Sequence, residues 1–593
     1  MRRFVIACAA SLALSIPGFA QQAADAIAPE SATEGAFAAV SPAVAAALAA
    51  KRAGRPVVAE DWMIAAANPH AVEAGAAILA KGGSAADAMV AAQAVLGLVE
   101  PQSSGLGGGA FLVWYDAQSG QLTTLDGRET APLAATPTLF QDDTGEPLGF
   151  FDAVVGGRSV GTPTTPALLA EAHRRWGRSA WPTLFDDAIA LAEDGFAVSP
   201  RLAGLVARDA ERLARFPTTA AYFLPGGQPV TAGQVLTNLA YADTLRQLAA
   251  KGAEAFYTGP IAADIERRVQ TAPGNPGVLS QVDLSLYRVR ERPPVCVSYR
   301  AHDVCGMGPP SSGALTVGQI LGMLNSRALP APQDPEAWRL IGDASRLAFA
   351  DRGRYMADAD FVPVPTKGLI DPAYLAARAE LLSGDDALPE VAPGKPEFDH
   401  ALNWADDEAI EFPSTSHITI VDRHGNVLSM TTTIENAFGS RLMVRGFLLN
   451  NELTDFSFRT HRDGVPIANR VEPGKRPRSS MAPTIVMKDG HPVLAIGSPG
   501  GSRIIGYVAQ AVIAWLDWGL DVQQAVAQPH AVNRFGSYDL EAGTSAEALQ
   551  APLEALGYEV KLRDLNSGLH AIEIGETLRG GADPRREGIA LGG

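Results

Sequence analysis

The sequence predicts a large mixed α/β protein, on three observations. Of 593 residues, 47% are hydrophobic and 19% charged, enough apolar chain to bury a sizeable core. Capped helical patterns begin near residue 68 and recur over residues 165–270 and 335–383. Between them lie alternating, strand-like runs from Phe111, over residues 293–307, and from Thr415 onward. No internal repeat interrupts this order.

The elements follow one another legibly. The opening MRRFVIACAASLALSIPGFA has Arg2 and Arg3, an apolar run, and small residues at Gly18 and Ala20, the pattern of a secretory signal removed near Ala20. Its apolar run is too short to anchor the chain in a membrane, so a periplasmic or secreted protein is expected. Residues 21–57 are Ala-rich with little pattern and are expected to form a loosely ordered leader. Asn68 caps a first helix with Pro69 at its first position, Gly82 and Gly83 end it, and Ser84 caps a second that finishes before Pro101. AFLVWYDAQSGQLTTLDGRE then reads as two strands around a turn. Residues 384–413 hold nine acids and one lysine with weak periodicity, predicting a solvated, flexible passage. Strands are expected from there to about residue 510, followed by a helix and a mixed tail.

Several functions are excluded. A formal charge of −17 repels nucleic acid and anionic lipid. GLGGGA at 105–110 fits a dinucleotide fingerprint in spacing, but a helix precedes it and a strand follows, the reverse of what the cofactor needs. Gly308 to Gly313 has the spacing of a phosphate loop, yet Ala314 stands where its lysine belongs. The histidines and cysteines lack ligand spacing, so neither a metal nor another cofactor is expected. Cys296 and Cys305 would face each other if the chain turns at Arg300 and Ala301, leaving a disulfide and two free thiols as alternatives.

The most informative stretch is FPSTSHITIVDRHGNVLSMTTTIENAFG. Gly425 supports a short hairpin loop that pairs Asp422 with Asn426, and hence Thr419 with Ser429, His417 with Thr431 and Thr415 with Thr433. Ile418, Ile420, Leu428, Met430 and Ile434 then share a core face, while the threonines share a polar surface. A strand that starts abruptly at Thr415 after a flexible connector fits a nucleophile awaiting release. A threonine hydroxyl is weak, and an N-terminal threonine supplies its own base in its α-amine, whose ordinary pKa is about 7.7–8.0.

TSHITIVDRHGNVLSMTTTIENAFGS, LLNNELTDFS, KRPRSSMAPTIV, GSPGGSRI and DGRETAP together resemble the γ-glutamyltransferase (glutathione hydrolase) family of N-terminal-nucleophile hydrolases, from about residue 58 to the end. The resemblance implies a four-layer αββα sandwich, self-cleavage between Ser414 and Thr415, and a heterodimer of a large subunit (58–414) and a small catalytic subunit (415–593). It implies Thr415 as nucleophile, Thr433 as its orienting partner, and Gly500 and Gly501 as oxyanion donors. Arg128, Ser479 and Ser480 would hold the carboxylate of a γ-glutamyl group, and Glu435, Glu452 and Asp455 its ammonium. Some members carry Asn and Gln at the first two acidic positions, so this pocket is more negative. Asp455 to Ser479 is shorter than in relatives with a full lid, implying a reduced or absent one. The implied donors are glutathione and other γ-glutamyl compounds, and the acceptors water, amino acids or dipeptides. A glutaryl-type β-lactam acylase of the same fold, or a non-catalytic exported binding protein, are the alternatives.

Overall fold

The computed structural model describes residue 21, residues 41–398 and residues 403–593. The signal with its removal site, residues 22–40 of the leader, and residues 399–402 of the acidic passage lie outside the described residues.

Two antiparallel seven-stranded sheets form the middle of the protein. In spatial order the first runs Val57–Ala59, Leu578–Ala582, His570–Ile574, His491–Gly497, Thr484–Lys488, His302–Gly306 and Val295–Tyr299. The second runs Ile589–Gly592, Met63–Ala66, Ser416–Val421, Val427–Thr433, Gly109–Asp116, Gln121–Gly127 and Arg290–Arg292.

Helices cover both outer faces. Pro69–Ala80 and Ala85–Val99 start at the predicted caps: Asn68 accepts from the His70 N–H, and Ser84 with Asp87 forms a reciprocal capping box. Every residue of Ala85–Val99 is buried, as an all-round apolar helix must be. These helices share a core with Ile418, Ile420, Leu428 and Met430. Val317, Leu347, Ile505 and Val508, on helices Gly313–Leu324, Pro335–Tyr355 and Ile504–Leu516, pack with Val486, Leu494 and Ile496 of the first sheet. Between the sheets, Met63, Val113, Val421 and Val427 meet Ile485, Ala495 and Ile572. The result is the four-layer αββα sandwich.

Several local expectations need correction. The leader is not loose throughout: Pro42–Arg52 is a helix capped by Ser41, with Val44 and Ala47 buried. Alanine has the highest helix propensity, and docking supplies the rest, with Lys51 Nζ donating to the carbonyl of Gly588 at 2.7 Å and to that of Arg586. The polar face of the threonine hairpin is no outer surface, because the first sheet covers it. There His417 bonds Thr431 and Thr419, each at 2.9 Å, and Ser429 donates to the Ile496 carbonyl. The region after the hairpin is less strand-rich than alternation predicts, holding only two-residue strands between Thr433 and Thr484, and the following helix already begins at Ile504. Arg300 and Ala301 take positive φ of 49° and 59°, the geometry of a two-residue hairpin turn, and Cys296 and Cys305 across it form a disulfide with S–S 2.07 Å.

Candidate active site

The hairpin register is the predicted one, with His417 opposite Thr431 and Thr419 opposite Ser429. It carries Thr415 Oγ1 to 3.2 Å from Thr433 Oγ1, which in turn accepts the Glu435 N–H at 2.9 Å. Thr433 is located by the glycine run that spacing alone likens to a nucleotide loop. Gly109 pairs with Thr433 in the sheet, and a Cβ on Gly108 would stand 1.9 Å from the Thr433 carbonyl oxygen. The run lets two backbones touch.

Thr415 has φ +144°, a region that L-residues with branched side chains adopt only under strain of about 1–3 kcal/mol. The strained torsion adjoins the peptide that joins Ser414 to Thr415. Ser414 Oγ donates to the Gln102 carbonyl at 3.0 Å, and Arg586 Nη1 donates to the Thr415 carbonyl at 3.2 Å, so both flanks are fixed.

Around Thr415 the fold gathers Arg128, Thr433, Glu435, Glu452, Asp455, Ser479, Ser480 and Gly501 into one pocket. Gly500 precedes Gly501 in the same turn; their φ values are +136° and +56°, and a Cβ on Gly501 would stand 2.8 Å from the Phe412 carbonyl oxygen. Only glycine suits both positions.

Arg128 is fully engaged. Its guanidinium pairs with Glu452 and Asp455 and donates to the carbonyls of Pro477, at 3.2 Å, and Arg478, at 2.8 Å. The sequence reading separates a carboxylate-binding arginine from ammonium-binding acids; in the structure they hold one another. Burial works against the Arg128 charge, but Glu452 and Asp455 overcome it and hold the guanidinium protonated. Burial likewise pushes Glu435 well above the usual carboxylate range, with Asp455 and Glu452 adding to it. Asp455 is also pushed well up by burial, against the pull of Arg128. Glu452 Oε2 and Asp455 Oδ1 have no hydrogen-bond partner among the described residues.

The end of the acidic connector closes this pocket, contrary to its expected solvation. Glu411, Phe412 and Ser414 are buried, and the remaining cavity of about 20 Å³ has room for one water. Glu411 accepts from Ser480 Oγ and pairs with Arg352, with Arg478 at 3.7 Å. Burial opposes its ionisation, yet Arg352 and Arg478 keep its carboxyl below the usual range. Asp406 pairs with Arg354 at 2.8 Å and Asp407 with Arg478 at 3.0 Å. Asp385, Asp386, Glu390 and Glu397 are exposed as expected, whereas Asp406, Asp407 and Glu411 at the end of the passage meet arginines.

Sequence reasoning misses Glu411, Arg352, Arg478 and Arg586. Arg478 lies between the quoted Arg476 and Ser479, and its neighbourhood was a usable signal; the other partners are remote in the chain. It also gives no role to the Gly308–Gly313 loop, whose Pro310 carbonyl accepts from Ser479 N at 3.0 Å and whose Ser312 Oγ donates to the Ser479 carbonyl at 2.7 Å, setting the serine pair in place.

A family model described as gamma-glutamyltranspeptidase matches residues 71–593. The chain is 38% identical over 554 residues to the glutathione hydrolase proenzyme of Bacillus subtilis (strain 168), covering 90% of this chain and 92% of that one. It is 34% identical to the acylase ACY 1 proenzyme of Pseudomonas sp. (strain V22), over 91% of this chain and 95% of that one. The crystal structure of cephalosporin acylase from Bacillus halodurans superposes with a TM-score of 0.80 at 26% identity, covering 91% of this chain and 97% of that one.

Proposed function

Since the chain belongs to the gamma-glutamyltranspeptidase family, we propose that it is made as a proenzyme, cuts itself between Ser414 and Thr415, and then transfers the γ-glutamyl group of glutathione and related amides. The observation that carries this reading is Thr415 itself: strained, at the head of a central strand, hydrogen-bonded to Thr433, and facing Arg128, the serine pair and three carboxylates across one pocket. Once freed, its α-amine takes the proton of Oγ1 as that oxygen attacks the γ-carbonyl carbon. The N–H groups of Gly500 and Gly501 receive the oxyanion, the protonated α-amine passes its proton to the departing nitrogen as the C–N bond breaks, and a γ-glutamyl ester remains for water or an amino acid to resolve. Arg128, Ser479 and Ser480 take the substrate carboxylate, and Glu435, Glu452 and Asp455 its ammonium.

Glu411 supports the assignment of the serine side. It places a carboxylate on Ser480 in the uncut chain, so these donors already accept that group. The connector must withdraw before a donor enters.

Sequencing the smaller fragment from its N-terminus tests the cut: the expected start is Thr-Ser-His-Ile, and another start in active enzyme sinks the proposal. A second reading, an acylase of the same fold, has support in the named acylases among the relatives. Turnover of a γ-glutamyl anilide against its glutaryl analogue separates the two, because only the first carries an ammonium for the three acids. We expect the γ-glutamyl compound to be preferred.

Two further outcomes follow from the geometry. Thr433→Val should slow both self-cleavage and turnover about tenfold, the value of one lost hydrogen bond, while Thr433→Ser stays near the parent; time courses on denaturing gels and anilide assays check this. With the connector over the pocket, burial holds Glu435 and Asp455 protonated above their ordinary range, and a seated donor buries them in the same way. Donor binding should therefore tighten as pH rises from about 5, where ordinary carboxyls have already ionised, because the acids must lose protons to receive an ammonium. The folded protein holds these protons where the unfolded chain has lost them, so their contribution to stability falls over the same rise. Glu435→Gln should flatten the dependence of KM on pH; an unchanged slope would remove Glu435 from ammonium binding.

A further inference from the structure

We propose that Arg586 is a positioning residue for Thr415 that also keeps the freed α-amine of Thr415 unprotonated, so that it acts as a base below its ordinary pKa. This rests on Thr415 being the nucleophile.

Arg586 is 2% exposed, and its Nη1 donates to the Thr415 carbonyl at 3.2 Å. The guanidinium is aimed from behind. Its Nε donates to Asn566 Oδ1 at 3.3 Å, Nη2 donates to the Asn566 carbonyl at 3.4 Å, and a Cβ on Gly568 would stand 2.8 Å from Arg586 Cδ. Its backbone is fixed in turn by Lys51, from the helix Pro42–Arg52, which donates to the carbonyls of Arg586 and Gly588.

An amine nitrogen and the carbonyl oxygen of the same residue lie within about 3.6 Å of each other by covalent geometry. A hydrogen bond to that oxygen therefore holds a permanent cation within about 7 Å of the Thr415 nitrogen. A second positive charge so close disfavours the ammonium form and lowers the pKa of the amine. The other charges near Thr415 are Arg128, already committed to Glu452 and Asp455, the carboxyls of Glu411 and Glu435, and the buried Glu100, which accepts from the neighbouring Ser416 Oγ at 3.5 Å. Around Arg586 lie Asp583, which pairs with Arg585, then Glu587, Lys51 and His570, whose imidazole is held neutral, with a pKa down to about 3, by burial and by Lys51. Glu411 belongs to the connector that must withdraw, and Glu435 is matched by the ammonium of a bound donor. Arg586 places a cation on the strand side of the amine through its bond to the Thr415 carbonyl. Its hydrogen bond also fixes the carbonyl of a residue whose backbone is strained.

The test is the pH profile of kcat at saturating γ-glutamyl anilide, where the bound donor already occupies Glu435 and Asp455 and the acid limb reads the amine, on enzyme whose intact mass confirms the cut at Thr415. In Arg586→Met the acid limb should move up by about one unit, with activity returning to within tenfold of the parent at high pH; in Arg586→Lys the limb should stay at the parental position. A cut Met variant with an unmoved acid limb overturns the proposal. Should the Met variant remain uncut, Arg586→Lys decides: a cut enzyme with the parental limb supports the role, whereas an uncut chain or a shifted limb overturns it. A parent that is not cut before Thr415 defeats the proposed function itself, which is a different result from a cut parent whose variants keep its acid limb.

Discussion

Thr415→Ala should yield a single uncut chain with no measurable γ-glutamyl turnover, a loss of at least about 10⁴-fold. The two losses share one atom. In the proposed mechanism Oγ1 is the group on Thr415 that attacks the preceding carbonyl, and afterwards the oxygen that carries the acyl group. The fold should survive, since Thr415 is a strand-leading residue whose backbone bonds do not need the hydroxyl, and circular dichroism should match the uncut parent. Thr415→Ser keeps the oxygen and should be cut more slowly. An Ala variant that still divides before residue 415 would place the chemistry elsewhere.

Arg128→Ala carries the second large effect. Three buried carboxyls, Glu129, Glu452 and Asp455, surround this guanidinium, and burial already pushes each of them upward. Removing the cation leaves the acids without their counter-charge and deprives a donor carboxylate of its fork. Donor binding should weaken by about 2–5 kcal/mol, the usual cost of a buried carboxylate left without its partner. The expected readout is a steep rise in KM, together with proton uptake on folding that exceeds the parent's. Arg128→Lys should recover little, because a point charge cannot bridge two carboxylates and two carbonyls at once. An unchanged KM for the anilide would remove Arg128 from donor recognition.

What the sequence reveals depends on how far apart the interacting residues lie. The register of the threonine hairpin is legible, because strand alternation and Gly425 fix it within about twenty residues and bring Thr415 to Thr433 without tertiary knowledge, whereas the sheet that covers its polar face is not. The helix caps at Asn68 and Ser84 are local for the same reason. The connector misleads only toward its end: Asp406, Asp407 and Glu411 imply solvent, and their arginine partners on the helix Pro335–Tyr355 and near Ser479 are invisible to a local reading. Glycines 107–109 look like a ligand loop because closeness to phosphate and closeness to another backbone place the same demand on a side chain. The embrace of Arg128 by Glu452 and Asp455 joins residues more than 300 positions apart, beyond the reach of any local pattern. Lys51 is harder still, lying in an alanine-rich stretch whose only local message is helix propensity.

The strands Ser416–Val421 and Val427–Thr433 lie in the interior of their sheet, flanked by Met63–Ala66 on one side and Gly109–Asp116 on the other. A cut before Thr415 therefore divides the polypeptide without opening a seam, and neither product owns a complete sheet. Once denatured, two separate chains would have to find an interleaved order that a single continuous chain reached with its connectivity intact. The cut protein should persist through slow unfolding, and recovery from urea should be far poorer for it than for the undivided Thr415→Ala chain.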